Sequence, residues 1–228
     1  MPAALNCCIA GSDQTTQSWK LACLVVANVS CAKRFELVLL PMIPTFDLNG
    51  LLPPYVGPTP ILVAAQAPFR TDVLELSNAL GTSSARKSLL EGLIRYRSAI
   101  RGLGFLDGYQ ILDGSFCENC ELIRGNDPGD IDAITFIKRS AAYKADNAFL
   151  AFVTANSALL DPHLVKTTFG VHSFMVDLDA PSESTIPISI YFFSLFSHQK
   201  STKQWKGTLR IDLQTANLDN EAMKVIES

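Results

Sequence analysis

Two carboxylates separated by one residue are the clearest candidates for chemistry in this sequence. Asp130 and Asp132 enclose Ile131 at the start of DIDAITFI (130–137), an apolar stretch typical of a strand. Side chains two positions apart in a strand lie on the same face, so both carboxylates can reach hard divalent cations while Ile131 packs into the core. The pattern predicts a platform for Mg2+ or Mn2+.

A second candidate lies upstream, where YQILDGS (109–115) indicates a strand that ends in a turn. Gly114 allows a sharp turn, and the free amides of a following helix would then point toward a phosphate while Ser115 donates a hydroxyl. A Gly-Ser turn by itself is common. Together with the acidic pair downstream, it predicts a site for the polyphosphate of a nucleotide.

The segment between these motifs admits other interpretations. Cys117 and Cys120 have the spacing of a zinc or thiol pair, but the three histidines are scattered and no second such pair exists. The intervening Glu118 opposes thiolate formation, so we interpret the cysteines as incidental. Asp127 lies in a DPGD turn, which favours a capping role over metal ligation, and the order of acids and glycine does not follow an EF-hand loop.

Composition places the chain among globular proteins. With 48% hydrophobic and 18% charged residues over 228 positions, the chain is too apolar to be disordered. The formal net charge of -3 excludes an overall basic field that would draw the protein onto nucleic acid or an acidic membrane. The six cysteines lack a disulfide framework, and the apolar run in 19–32 is short for an export signal. We expect a cytoplasmic protein with no membrane association.

The order of helical and strand-like stretches predicts an α/β (α+β) fold with a mixed sheet flanked by helices. The clearest helix is 82–104, with threonine and serine caps before it and glycines at its end. Its arginines lie mainly off the apolar face and are interpreted as solvated, with a grip on phosphate as the alternative: Arg86, Arg95, Arg97 and Arg101. Strands are also predicted at 130–137, 171–178, 188–196 and 206–213, and helices near 69–80 and at 140–160.

These elements divide the chain into four parts. Residues 1–41 are an N-terminal extension of doubtful role, and 42–82 form an extended Pro/Gly-rich arm with a short helix. Residues 83–214 form the predicted core, and 215–228 a C-terminal tail.

A polar segment near the end of the core contains Trp205 and several basic residues. We interpret it as a hairpin whose lysines are solvated and whose tryptophan packs on the sheet. The alternative is an aromatic and basic loop beside a bound nucleotide. The residues concerned are Ser197, His198, Lys200, Lys203 and Lys206.

The motifs in combination resemble a known superfamily. MIPTFDLNGLLPP, RKSLLEGLIRYRSAIRGLGF, QILDGSFCENCELIRGNDPGDIDAITF and YFFSLFSHQKSTKQWKGTLRIDL together are similar to a family of short bacterial proteins. That family belongs to the nucleotidyltransferase superfamily, which includes DNA polymerase beta. The resemblance covers about residues 42–214. It implies a nucleotidyltransferase-like mixed sheet, a nucleoside triphosphate substrate and two Mg2+ ions.

By this resemblance, Gly114 and Ser115 match the superfamily's triphosphate-binding turn, and Asp130 and Asp132 match its metal-binding pair. The implied reaction moves a nucleoside monophosphate to an acceptor hydroxyl on protein, RNA or a small molecule and releases pyrophosphate. Several members act in toxin-antitoxin or phage-defence modules, which implies an antitoxin or another partner protein. A catalytically degenerate protein of the same fold, which binds a nucleotide or a partner without turnover, is the alternative.

The superfamily also implies a third acid on a later strand, here within VHSFMVDLDA (171–180). Asp177 is the best remaining carboxylate and is the expected catalytic and metal-binding residue. Relatives carry the acid nearer the start of the strand, where His172 stands in this sequence, so His172 is the alternative ligand. The two positions differ in parity and would face opposite sides of the sheet.

Overall fold

The computed structural model describes residues 43–228, and the predicted extension 1–41 lies outside these residues. The described chain folds around a mixed sheet with helices on both faces, which confirms the predicted α/β (α+β) class. In the range 43–228, no helix combines the length and the apolar character needed to cross a membrane.

The sheet has five strands, and the three longest position the candidate site. Strand β2 (Gly108–Asp113) pairs antiparallel with β3 (Ile131–Ile137), and β4 (Val171–Asp177) runs parallel to β3. Strands β1 (Phe69–Thr71) and β5 (Leu209–Asp212) extend the sheet beyond β2, in the order β1-β5-β2-β3-β4. The first and last strands along the chain, β1 and β5, are therefore parallel neighbours in the sheet.

Eight α-helices lie within the described residues. They are α1 (Val73–Leu80), α2 (Ser84–Gly102), α3 (Cys120–Arg124), α4 (Asp146–Ala155), α5 (Ser157–Leu160), α6 (Pro162–Phe169), α7 (Ser182–Phe196) and α8 (Ala216–Glu227). Helices α1, α2, α6 and α8 contribute to the main core on one face of the sheet, and α7 covers the other face. Because both faces are covered, both sets of alternating side chains on a central strand are apolar.

Strand β3 makes this alternation visible. Ile131, Ala133 and Ile137 belong to the main core with α2, whereas Ile134 and Phe136 pack in a smaller cluster with α7. Asp132 has the parity of the second set, so its carboxylate emerges on the α7 side of the sheet.

Helix α2 begins and ends close to the predicted limits. The Ser83 hydroxyl accepts a hydrogen bond from the Arg86 amide, as expected of an N-cap. However, the interpretation of all four arginines as solvated is wrong, because Arg86 and Arg97 are buried. Arg86 donates to the carbonyls of Phe116 at 2.8 Å and Glu118 at 2.6 Å, so it holds the segment that follows the Gly-Ser turn.

The last residues of the chain form a docked helix where a tail was expected. Arg97 of α2 binds the carboxylate of Asp219 in α8 at 2.9 Å, and both side chains are almost fully buried. The same guanidinium donates to the Gln110 side chain and to the Asp212 carbonyl, each at 2.9 Å. This network joins α2, α8 and the sheet, and a buried charge of this kind is tolerated because its hydrogen bonds are satisfied.

The prediction of a strand at 188–196 is also wrong, since this segment forms the second half of α7. Its isoleucines and phenylalanines have high strand propensity, which is a weak preference that packing overrides. Phe192 and Phe196, four residues apart, both contact the sheet cluster from one side of the helix. Pro187 lies inside this helix, where the sequence alone argues for a break.

Two other predicted helices are confirmed in part. The stretch near 69–80 divides into β1 and α1, because Asp72 caps a helix that begins only at Val73. The stretch 140–160 contains a 3-10 turn at Ala141–Tyr143 followed by α4 and α5.

Candidate functional site

Three side chains converge where β3 and β4 begin. Asp130 immediately precedes β3, Asp132 is the second residue of β3, and His172 lies directly beside Asp132 in the parallel register. One ligand atom from each of the three lies within 4.8 Å of the other two. All three residues are half-buried, so a cation bound there would be partly shielded from water. The structure thus joins the alternative ligand, His172, to the predicted acidic pair.

The charges in this cluster influence one another. Burial and the neighbouring carboxylate of Asp130 raise the pKa of Asp132, while His172 and Lys166 act in the opposite direction. His172 Nδ1 lies 3.3 Å from Asp132 Oδ1. A metal requires the ionised carboxylate, so the raised pKa means that protonation of Asp132 competes with metal binding at a higher pH than it would at an ordinary aspartate.

A lysine already neutralises part of this negative charge. Lys166 Nζ, from helix α6, lies 2.7 Å from Asp130 Oδ2, and the lysine side chain is 49% exposed. The hydrogen bond with Asp130 raises the pKa of Lys166. His163, one turn earlier in α6, approaches the imidazole of His172 with ring centres 5.8 Å apart. Helix α6 therefore adds a cation that a divalent ion at Asp130 would have to displace.

The predicted Gly-Ser turn lies against the acidic cluster. Gly114 has a φ of 79°, and a Cβ added to it would be only 2.4 Å from Asp132 Oδ2. Ser115 follows as the first residue of a 3-10 turn, Ser115–Cys117, that packs beside β3. The turn approaches the carboxylate this closely because glycine has no side chain.

Asp177, the expected third ligand, is not part of the cluster. It is the last residue of β4 and pairs with Ile137, at the opposite end of the strand from His172. Five residues of strand span about 16 Å, and odd spacing also turns the side chain to the other face. The Asp177 carboxylate instead accepts a hydrogen bond from Arg139 Nε at 2.8 Å. The prediction that Asp177 is a catalytic and metal-binding residue is therefore corrected. In the structure, Asp177 forms an ion pair with Arg139.

The structure adds a carboxylate that the sequence analysis missed. Asp113 ends β2 directly opposite Asp132 in the antiparallel register, so both side chains emerge on the same face. Asp113 is only 5% exposed, and burial raises its pKa to about 7, with the charge of Asp132 acting in the same direction. The sequence does show an aspartate directly before Gly114. However, only the register of β2 and β3 shows that this aspartate lies opposite Asp132.

Asp113 belongs to a buried network with Lys206. Lys206 Nζ lies 2.9 Å from Asp113 Oδ1 and 2.9 Å from Glu118 Oε1. Burial lowers the pKa of Lys206, but these two carboxylates outweigh it and raise the pKa overall. Glu118 is also bound by Arg124 at 3.0 Å. By contrast, Asp113 Oδ1 lacks a hydrogen bond of good geometry among the described residues, so this acid is incompletely satisfied.

The segment around Trp205 combines both earlier interpretations. A bridge between His198 and Trp205 closes a turn, and Trp205 is 59% exposed where the hairpin interpretation expected it to be packed on the sheet. Lys200 and Lys203 are exposed as expected of a solvated tip. Lys206 is the exception, since it is buried in the network with Asp113. No local pattern distinguishes it from the other lysines, so only the tertiary structure could identify it.

The cysteine pair has the environment of packed side chains. Cys117 and Cys120 are both free and buried. Burial is the main cause that raises the pKa of each thiol, which opposes thiolate formation. Within residues 43–228, the cluster of Asp130, Asp132 and His172 is the metal-ligand group found, and it does not include either cysteine.

The chemistry of the donors suits a divalent cation. Carboxylate oxygens are ligands for Mg2+ and Mn2+, whereas an imidazole favours transition-metal ions. Two carboxylates and one imidazole therefore fit Mn2+ better than Mg2+, with water or a phosphate supplying the remaining ligands. The site lies open to such ligands because all three residues are only half-buried.

Neither the curated proteins nor the solved structures contain a match. A family model described as "Family of unknown function (DUF6932)" matches residues 44–212, a range that holds all five strands, the Gly-Ser turn and the acidic cluster. Because this match spans well over half of its length, the chain belongs to the DUF6932 family.

Proposed function

We propose that the protein is a metal-dependent nucleotidyltransferase that moves a nucleoside monophosphate from a nucleoside triphosphate to an acceptor hydroxyl. One observation supports this most strongly. Asp130, Asp132 and His172 place their ligand atoms within 4.8 Å of one another, and the Gly114 turn touches the same Asp132 carboxylate. The candidate metal ligands and the candidate phosphate-binding turn are therefore immediate neighbours, as transfer from a triphosphate requires.

The proposed reaction forms a bond between the acceptor oxygen and the α-phosphorus. The bond between the α-phosphorus and the oxygen bridging to the β-phosphorus breaks, and pyrophosphate leaves with the electron pair. The amide and hydroxyl of Ser115 bind the departing phosphates at the turn. The acceptor proton passes to the Asp132 carboxylate, which keeps a second oxygen when one oxygen binds a cation, and from there to water.

Asp130, Asp132 and His172 would hold the cation. When bound, it supplies charge neutralisation at the phosphates and lowers the pKa of the attacking hydroxyl. Lys166 competes with the cation for Asp130, and once its ammonium leaves Asp130 Oδ2 it is available to a phosphate oxygen. The proposal therefore assigns Lys166 a double role, first as a substitute cation and then as a phosphate ligand.

The direct test is pyrophosphate release from each nucleoside triphosphate in turn, with Mn2+ or Mg2+ and a mixture of hydroxyl acceptors. The double variant Asp130→Asn/Asp132→Asn should reduce the rate at least about 100-fold, because it removes the ionised ligands. Asp127→Asn is a matched control, since Asp127 is an exposed aspartate of the preceding loop whose carboxylate accepts one hydrogen bond among residues 43–228, from the Ser83 hydroxyl at 3.4 Å. Equal rates for the parent and the double variant would exclude the proposed mechanism.

A degenerate nucleotide-binding or partner-binding protein is the second candidate. It is favoured by one observation: Asp177 forms an ion pair with Arg139 and does not reach the acidic cluster. The imidazole of His172 therefore lies where a third carboxylate is expected. Equilibrium dialysis with labelled nucleoside triphosphates distinguishes the two candidates. Saturable binding that requires Gly114 but yields no pyrophosphate with any acceptor would favour this second function.

A further inference from the structure

An apolar surface begins directly beside the acidic cluster. Along β3, Ile134 follows Asp132 on the same face, at a distance of about 7 Å for two residues of strand. On the neighbouring strands, Ile111 and Phe174 pair with Ile134 in the register. The Phe174 ring also packs on His172, with ring centres 4.7 Å apart. The sheet therefore changes from charged to apolar within one step on each of three strands.

A cavity of about 220 Å3 lies above this surface. Its floor is the sheet, its second wall is α7, and its third is the Pro-rich arm before β1. Most of the lining is aromatic or aliphatic, and the main contributors are Ile111, Ile134, Phe136, Phe192, Phe193 and Trp205. Trp205 and Phe193 are 59% and 63% exposed, so they stand at the opening and not in the interior.

Three of the polar side chains that line the cavity, those of Gln66, Ser189 and Lys206, already have partners. Gln66 donates to the Pro60 carbonyl, and the Ser189 hydroxyl donates to the Thr185 carbonyl at 2.7 Å. The Lys206 ammonium is bound to Asp113 and Glu118, so Lys206 offers the cavity only its methylene groups. A nucleobase carries several donors and acceptors on its edge, and these would be costly to bury against such a lining.

The size of the cavity matches a ring system. An apolar cavity of about 150 Å3 in another protein is large enough to bind benzene, so about 220 Å3 accommodates one ring or two fused rings. Aromatic walls favour an aromatic occupant through edge and offset contacts.

We propose that this cavity binds an apolar, ring-containing group of the acceptor. This assignment rests on the proposed nucleotidyltransferase function and specifies its substrate class. The acceptor is a molecule or side chain with one or two apolar rings and a hydroxyl on a short linker. With the ring above Ile134, a linker of about 7 Å brings the hydroxyl to Asp132 and His172. The hydroxyl oxygen then bonds to the α-phosphorus, its proton passes to the Asp132 carboxylate, and pyrophosphate leaves.

Binding is tested with indole alone, in the absence of metal and nucleotide, by calorimetry on the full chain. We expect a Kd of about 1 mM or tighter for the parent protein, as the size of indole allows. Ser189→Phe fills the cavity from α7 and should weaken binding at least about tenfold. Ser184→Phe adds the same ring at an exposed position of the same helix and should leave the Kd unchanged.

A second variant covers the possibility that Ser189→Phe disturbs α7. Phe193→Ala removes an exposed wall residue and should weaken indole binding about threefold or more while the unfolding midpoint is retained. An absence of heat at millimolar indole with the folded parent, or unchanged binding in both cavity variants, overturns the assignment.

The acceptor role is then tested by pyrophosphate release with 3-phenylpropanol against 1-propanol. Release that is at least about tenfold faster with the ring-bearing alcohol, and that Ser189→Phe abolishes, supports the proposal. Indole binding without pyrophosphate release from any nucleoside triphosphate overturns the proposed function and with it the acceptor role. Release without any preference for the ring overturns only the use of the cavity.

Discussion

Two regions of this molecule contain buried ion pairs, and they are built differently. Arg97 and Asp219, between α2 and α8, are 0% and 1% exposed, and the guanidinium also binds Gln110, Thr215 and the Asp212 carbonyl. At the site, Asp113 is almost as deeply buried, but its Oδ1 has no hydrogen bond of good geometry although Lys206 Nζ lies 2.9 Å away. The first region is electrostatically complete and serves the fold. The second retains one unsatisfied acceptor, Asp113 Oδ1, which favours binding of a cation or a proton.

The largest effect is expected from the complete network. Arg97→Met should lower the free energy of unfolding by about 3 to 5 kcal/mol, because it leaves the Asp219 charge buried with only Arg101 opposite. Chemical denaturation measures this change. Arg95→Met is the control, since Arg95 is 58% exposed and should change stability by less than about 0.5 kcal/mol. A loss below about 1 kcal/mol for Arg97→Met would contradict the distinction between the two regions.

The next largest effect concerns the turn beside Asp132. Gly114→Ala combines a positive φ with a Cβ 2.4 Å from the carboxylate, so we expect a loss of about 3 kcal/mol in stability and loss of Mn2+ binding. Gly125→Ala is the control for a positive φ alone, because Gly125 has a φ of 67° with open space around it, and its ψ of 18° is easier for alanine than the ψ of -165° at Gly114. Its cost should be near 1 kcal/mol, with Mn2+ binding retained. Identical costs in both variants would show that contact with Asp132 does not matter.

A third effect depends on pH. The pKa of Asp113, about 7, lies above the ordinary value, so the folded state binds this proton more tightly than the unfolded state. Protonated Asp113 therefore contributes its full share to the stability of the fold below about pH 4. This contribution is lost as the pH rises to about 7, and stability no longer changes through Asp113 above that pH. Asp113→Asn should remove this slope. Urea denaturation of the parent and the variant between about pH 4 and 8, in the presence of a chelator, measures it. A parent that gains stability relative to the variant across this range would refute the raised pKa.

The smallest effect should be that of Lys166. Its ammonium competes with a cation for Asp130, and it is about half exposed, so water already screens it. Lys166→Met should tighten Mn2+ binding about threefold in calorimetric titration. Lys224→Met removes an exposed lysine of α8 with no place in the site and should leave the affinity unchanged. Weaker Mn2+ binding in Lys166→Met would mean that the lysine supports the site rather than competes for it.

Some of these features were predictable from local pattern. The helix α2, the strands β2, β3 and β4, and the Gly114 turn follow from periodicity and caps, which act over a few residues. The same patterns failed at α7, where strand-forming residues were packed into a helix against the sheet. They also failed at Arg86 and Arg97, since burial of a charged side chain depends on partners that are distant in sequence.

The sequence by itself determined that Asp130 and Asp132 share one face and that a glycine turn follows the strand before them, because both depend on backbone geometry within a few residues. The tertiary structure decided which groups join them. His172 reaches the acidic pair and Asp177 does not, because the parallel register of β3 and β4 aligns Asp132 with His172. The same structure decided that Asp113 lies opposite Asp132 and that Lys206 is buried beside it. Register and burial arise from packing between distant segments, and no short pattern of residues specifies them.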